Sequence, residues 1–219
     1  MATMRLKSDT LSAIRSQIES AGKAVTDLNQ AMTLVNMTMS NMTDASLNSL
    51  KQQSISMAKE LSTYTKTVTD AITIYANENE SAASMLTKAQ PTVLLSAASG
   101  MKASAAADAI QGILNQFNLS EDQAMHVADT VEKLSSEIAL DFSKGCDTIS
   151  QSIATSGSVV NEAGMSFEKY AALVSTTAEK TRVSGSQIGN AFKTIFSSIS
   201  RSKDGLTTDA EMSDAEAAL

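Results

Sequence analysis

A single proline, Pro91, stands in 219 residues, and nine glycines are spread among abundant Ala, Ser, Leu, Lys, Glu and Gln. The two strongest helix breakers are scarce where good helix formers are common, so most of this chain is steered into helices. Composition agrees: 42% of residues are hydrophobic but only 4% aromatic, Trp is absent and Met occurs 12 times. Apolar contacts must then come mainly from Ala, Leu, Ile, Val and Met, which helix faces carry more easily than a β-sandwich does. The expected fold class is all-α: a long N-terminal heptad-patterned helix followed by a multi-helix bundle of short helices.

Apolar positions advance in steps of three and four through Leu11, Ile14, Ile18, Ala21, Val25, Leu28, Met32, Val35 and Met39. Such a heptad seam keeps one stripe toward a partner. Leu11, Ile14, Ile18, Val25, Leu28, Met32 and Val35 are therefore the candidate helix-partner interface. Where a two-stranded coiled coil places Glu and Lys, the flanks carry Gln17, Gly22, Ala24, Asn29, Ala31 and Asn36, with Arg15 the exception. No dimer is specified, so the arm enters a multi-helix bundle or packs on its own domain. An ordinary amphipathic helix is the plainer reading. Met32, Met37, Met39 and Met42 read as adaptable packing. The division expected is a heptad arm over 1–43, a helical module over 44–202, and an acidic tail or truncated helix over 203–219.

The module reads as short helices marked by caps and stops. Thr43 or Asp44 can cap the first. An interior proline costs a helix about 3 kcal/mol, so Pro91 predicts a kink or a new start. Gly100 is a stop, and Ser120 with Gln123 forms a capping box. Gly145 and Gly157 divide the next stretch. Gly164 stops a helix, Ser166 caps another, and Ser184 with Gln187 repeats the box, with Ile188, Phe192, Ile195, Phe196 and Ile199 expected to be buried behind it. Gly205 is the last stop. Gly100-Met101 and Gly164-Met165 occupy matching places, a hint of a duplicated helical unit.

Reactive chemistry is sparse. A net charge of −7 with no cluster of Lys and Arg argues against duplex DNA or an anionic membrane as the main partner. One cysteine, Cys146, excludes an intramolecular disulfide framework. The N-terminus lacks the apolar run of a secretory signal, and no stretch approaches the roughly 20 apolar residues of a membrane helix. His126 reads as a helix surface residue and Cys146 as a small buried one, without the cationic setting that activates a thiol. "GSQIG", Gly185 to Gly189, has Gln where a hydrolase elbow needs its nucleophile; its glycines more simply let a neighbouring backbone come close. Asp141 and Asp147 flank a solvated turn, and three glycosylation sequons are discounted for want of a secretory signal. No catalytic set, cofactor site or metal site is expected.

Two stretches carry a more specific likeness: "IYANENESAASMLTKAQPTVLLSAASGMKASAAADAIQGILNQFNL" and "LDFSKGCDTISQSIATSGSVVNEAGMSFEKYAALVSTTAEKTRVSGSQIGNAFKTIFSSISRS". From about Ala71 to Ser202 the chain resembles the core region of bacteriophage tail tape measure proteins, also called phage-related minor tail proteins. Gly157 to Phe196 is the most specific part. The resemblance implies a non-catalytic structural component, packed in several copies along the tail-tube lumen, that sets tail length during assembly and leaves the tube at infection to assist DNA passage. Implied partners are other copies of itself, the tail tube protein and tail assembly chaperones, with no direct nucleic-acid binding or membrane insertion by this segment. Implied locations are the virion tail lumen and, during assembly, the host cytoplasm. Proteins of this kind are normally far longer, so the chain is expected to be a fragment or single domain. A helical adaptor or secreted effector acting only through protein–protein contacts has the same features and is the alternative.

Overall fold

Every element in the computed structural model is helical: α1 (Ala2–Thr38), α2 (Asp44–Glu60), α3 (Thr65–Asn77), α4 (Ala82–Ser99), α5 (Ala103–Phe117), α6 (Ala124–Glu137), α7 (Phe142–Glu162), α8 (Phe167–Thr181) and α9 (Gly185–Lys203), with a 3-10 turn, Glu121–Gln123, leading into α6. The structure describes residues 2–39, 42–63, 65–77, 80–138 and 140–203, with side chains from 10 to 201. The fold is all-α. Two compact units divide it, unit 1 ending at Val93 and unit 2 beginning at Leu94. The arm expected over 1–43 thus shares unit 1 with α2 and α3, while Gly205 and the tail expected over 203–219, apart from the Lys203 backbone, lie outside the described residues.

Pro91 does not start a new helix. α4 runs through it from Ala82 to Ser99, with Pro91 itself and its neighbours Ala89, Thr92 and Val93 buried. Burying a large apolar side chain is worth roughly 1.5–3 kcal/mol, so a few such contacts offset the lost backbone bond. Gly145 and Gly157 do not divide their stretch either, because α7 is continuous from Phe142 to Glu162. Both glycines are buried at close crossings: a Cβ on Gly157 would sit 2.9 Å from Gln116 Cβ, and one on Gly145 3.0 Å from Ser135 Cβ. Glycine here admits a neighbour and leaves the helix unbroken.

In unit 1, α1 packs along α3 and α2, and Leu28, Met32, Val35, Leu50, Val68, Ile72 and Tyr75 are buried. In unit 2, α7 is the central helix, touched by α5, α6, α8 and α9. Four of the five phenylalanines gather there: Phe117 meets Phe167 edge-on at 5.8 Å, and Tyr170 meets Phe192 at 5.7 Å and Phe196 at 6.3 Å. The expectation of a fully buried α9 face needs correcting. Ile188 and Phe196 are buried, but Ile195 is 50% and Ile199 43% exposed.

Candidate assembly surfaces

The heptad seam of α1 meets two environments. Leu28, Met32 and Val35 are buried within unit 1, whereas Leu11, Ile14, Ile18 and Val25 are 66%, 47%, 67% and 55% exposed. Helix length accounts for the division. At 1.5 Å per residue, the 37 residues of α1 span about 55 Å, but the 17 of α2 and 13 of α3 cover only about 26 and 20 Å. The stripe therefore runs on past the helices that cover it. Its exposed part carries small or uncharged neighbours such as Gln17, Ala21 and Gly22, with one surface pair, Arg15 to Glu19 at 3.3 Å. Such flanks allow close approach by another apolar helix and set no charge code for a partner.

The helix ends hold the second group of sequence candidates. Gly100 has φ +72° and Gly164 φ +91°, a region costly for residues with a Cβ. Gly164 N–H donates to Asn161 O at 2.8 Å and Met165 N–H to Val160 O at 3.2 Å, satisfying the last carbonyls of α7. After α4, serine hydroxyls take part in the turn at Gly100, where Ser96 Oγ donates to Met101 O at 2.7 Å and Ser99 Oγ accepts from Met101 N–H at 3.2 Å. Gln187 Oε1 accepts from Ser184 N–H at 3.2 Å, and Ser184 Oγ accepts from Gln187 N–H at 3.4 Å. Gln123 likewise reaches back to Ser120 N–H at 3.2 Å. Ser166 is extended ahead of α8 without a side-chain cap of its backbone.

Gly185 and Gly189 lie against α7. A Cβ on Gly185 would run into the Thr148 carbonyl, and one on Gly189 would meet Thr155 Cβ at 2.7 Å and Ser152 O at 2.9 Å. With residue 185 beside 148 and 189 beside 152 and 155, the two helices run in the same direction. Nearby, a chain of three hydroxyls that ends on the Ser152 carbonyl lies in the core of unit 2. Ser156 Oγ donates to Ser152 O at 2.8 Å, which uses its one hydrogen. Tyr170 O–H therefore donates to Ser156 Oγ, and Ser152 Oγ donates to the Tyr170 oxygen at 3.0 Å. Burial raises the Tyr170 pKa, against the opposing pull of the two serines, which keeps the phenol neutral. The sequence analysis did not single out this set; the signal was Ser152 and Ser156, four apart on a helix that also carries Ile149 and Ile153.

The reactive side chains do not converge. His126 on α6 lies 2.9 Å from Glu168 on α8, about half exposed. Cys146 is buried in the unit 2 core, and burial first, then the charges of Glu132 and Asp147, push its thiol pKa up. Such a thiol stays protonated and unreactive. Asp141 caps α7, accepting from Lys144 N–H at 3.4 Å, and Asp147 lies within α7. An open groove of about 270 Å³ between α5 and α7 has Ala109, Gly112 and Ile113 in its lining, with Asp108 and Asp147 among its few polar groups. Among the described residues no group of three His, Cys, Asp or Glu could hold a metal ion, and no helix is long and apolar enough to cross a membrane.

What the geometry offers is an uncovered apolar helix face joined to a bundle of close-packed helices. No curated protein and no solved structure matches the chain. The family model described as Phage-related minor tail protein matches residues 51–219, which include α3 to α9 and the C-terminal part of α2. With well over half its length matched, this chain belongs to the phage-related minor tail protein family.

Proposed function

We propose that this minor tail protein is part of a tail tape measure: a non-catalytic helical component that helps set tail length during assembly and leaves the tube at infection to assist DNA passage. It works by shape and contact. Its partners are other copies of itself, the tail tube protein and tail assembly chaperones, and it resides in the tail lumen of the virion after assembly in the host cytoplasm.

The observation that carries this reading is the split seam of α1. One continuous stripe is folded into unit 1 over Leu28–Val35 and left exposed over Leu11–Val25. Four exposed aliphatic side chains, each worth roughly 1.5–3 kcal/mol when buried, are a strong drive to associate. A helical arm that brings copies side by side, attached to a folded body, suits a protein that lines a tube in several copies.

The test is made in a phage that encodes the chain. Inserting two heptads ahead of Val25 adds 14 residues, about 21 Å of helix. If the arm contributes to the ruler, tails lengthen by that order in electron micrographs. Normal tails of unchanged length would remove the arm from the measuring role.

A further inference from the structure

Unit 2 carries an open groove that the assembly reading leaves unused. It lies between α5 and α7, and small residues line it: Ala105, Ala109 and Gly112 on α5, and Ala154 on α7. A Cβ on Gly112 would meet nothing within 4 Å, which leaves room for a side chain from outside. Asp108 and Asp147 stand exposed, one on each helix, and among the described residues no Lys or Arg lines the groove.

The exposed stripe of α1 has the matching features. Leu11 and Ile18 are seven residues apart, about 10 Å of helix, and so are Ala105 and Gly112 on one side of the groove and Asp147 and Ala154 on the other. Leu11, Ile14 and Ile18 thus form a row of knobs as long as the groove. Arg15, four residues after Leu11 and three before Ile18, borders that row. Its bond to Glu19 joins two highly exposed side chains, so it is weak and open to exchange for a groove carboxylate. Net charge favours the match. Residues 2–27 carry Arg5, Lys7, Arg15 and Lys23 against Asp9, Glu19 and Asp27, a slight positive excess in a chain of net charge −7.

We propose that the groove between α5 and α7 receives the Leu11–Ile18 face of a second copy's α1. This deepens the tail reading and rests on it only for the choice of another copy as partner. The contact is heterologous, because arm and groove are different surfaces. A joined pair keeps one free arm and one free groove, so further copies add with a single polarity. Two arms laid against each other would instead pair and stop.

Sedimentation of the full chain tests it with two variants. Gly112→Leu fills the groove and leaves the arm; Leu11→Ser with Ile14→Ser and Ile18→Ser removes the arm and leaves the groove. Wild type should sediment above single-copy mass and each variant alone at single-copy mass. An equal mixture of the two should contain a two-copy species, because one supplies the arm and the other the groove. Helix content by circular dichroism should hold in Gly112→Leu, since Leu is the better helix former. Asp108→Lys with Asp147→Lys, both at exposed positions, closes the groove by charge; it should weaken association at least fivefold, and adding Arg15→Glu should recover most of that loss. Gly112→Leu that associates like wild type would overturn the groove as the seat and leave the tail reading standing. So would a mixture with no two-copy species, or a charge reversal without effect. Wild type at single-copy mass would remove the contact and, with it, the self-association in the tail reading.

Discussion

Unit 1 leaves Leu11, Ile14, Ile18 and Val25 in water and buries Lys88, whereas unit 2 draws Phe117, Phe167, Tyr170 and Phe196 inside and buries hydroxyls that satisfy one another. The same helical vocabulary serves two ends. Unit 2 is closed by aromatic packing and by glycine crossings that let α9 lie against α7. Unit 1 leaves an apolar face exposed and buries a charge. The contrast teaches that an amphipathic stripe does not by itself say whether it is core or interface. That depends on whether the neighbouring helices are long enough to cover it.

The largest expected effect is on association. Changing Leu11, Ile14 and Ile18 together to Ser should return the chain to single-copy mass in sedimentation while helix content holds, because these side chains touch nothing that unit 1 needs. Unchanged mass would erase the contrast between the two units. Next, Tyr170→Ala should cost about 3–5 kcal/mol in denaturant unfolding, since it removes a buried ring and opens the hydroxyl network. A loss below about 1 kcal/mol would mean that the aromatic cluster is not what closes unit 2.

Glycine gives a sharper version of the comparison. Gly185→Ala should destabilise by about 1–3 kcal/mol, because the new methyl meets the α7 backbone, which has no room to retreat. Gly22→Ala in the exposed part of α1 meets nothing within 4 Å and should stabilise the helix by about 0.5–1 kcal/mol. Thermal unfolding of the two variants should shift in opposite directions.

The smallest effect belongs to the His126–Glu168 pair. The hydrogen bond from His126, then those from the Glu168 backbone and Ser166, hold the Glu168 carboxyl below its ordinary value of 4.5. A depressed carboxylate pKa contributes stability that is full above the unfolded value and is lost as pH falls through the lower folded one. Both side chains are about half exposed, so Glu168→Gln should cost no more than about 1 kcal/mol. The difference from wild type should vanish as pH falls below 4.5; a gap that persists well below it would assign the effect to packing.

Much of the local structure was legible. The rarity of Pro and Gly, the seam from Leu11 to Val35 and the Ser-x-x-Gln pairs act over one or two turns of chain, where sequence neighbours are spatial neighbours. The new start considered at Pro91 and the breaks expected at Gly145 and Gly157 did not occur for one reason: each residue was judged by its local helix cost, and each is buried where packing outweighs that cost. Lys88 was not singled out because its burial depends on how α4 and Tyr75 of α3 come together, which its own helix does not reveal.

Sequence alone determined that this chain is helical, where most of its helices begin and end, and that it resembles a phage tail family, because these depend on short-range propensity and on motifs read in order. Tertiary structure decided which half of one unbroken seam is covered, which glycines are crossings, and where a charge can be buried. Those outcomes depend on the lengths and approach of helices distant in the chain, and no local pattern encodes them.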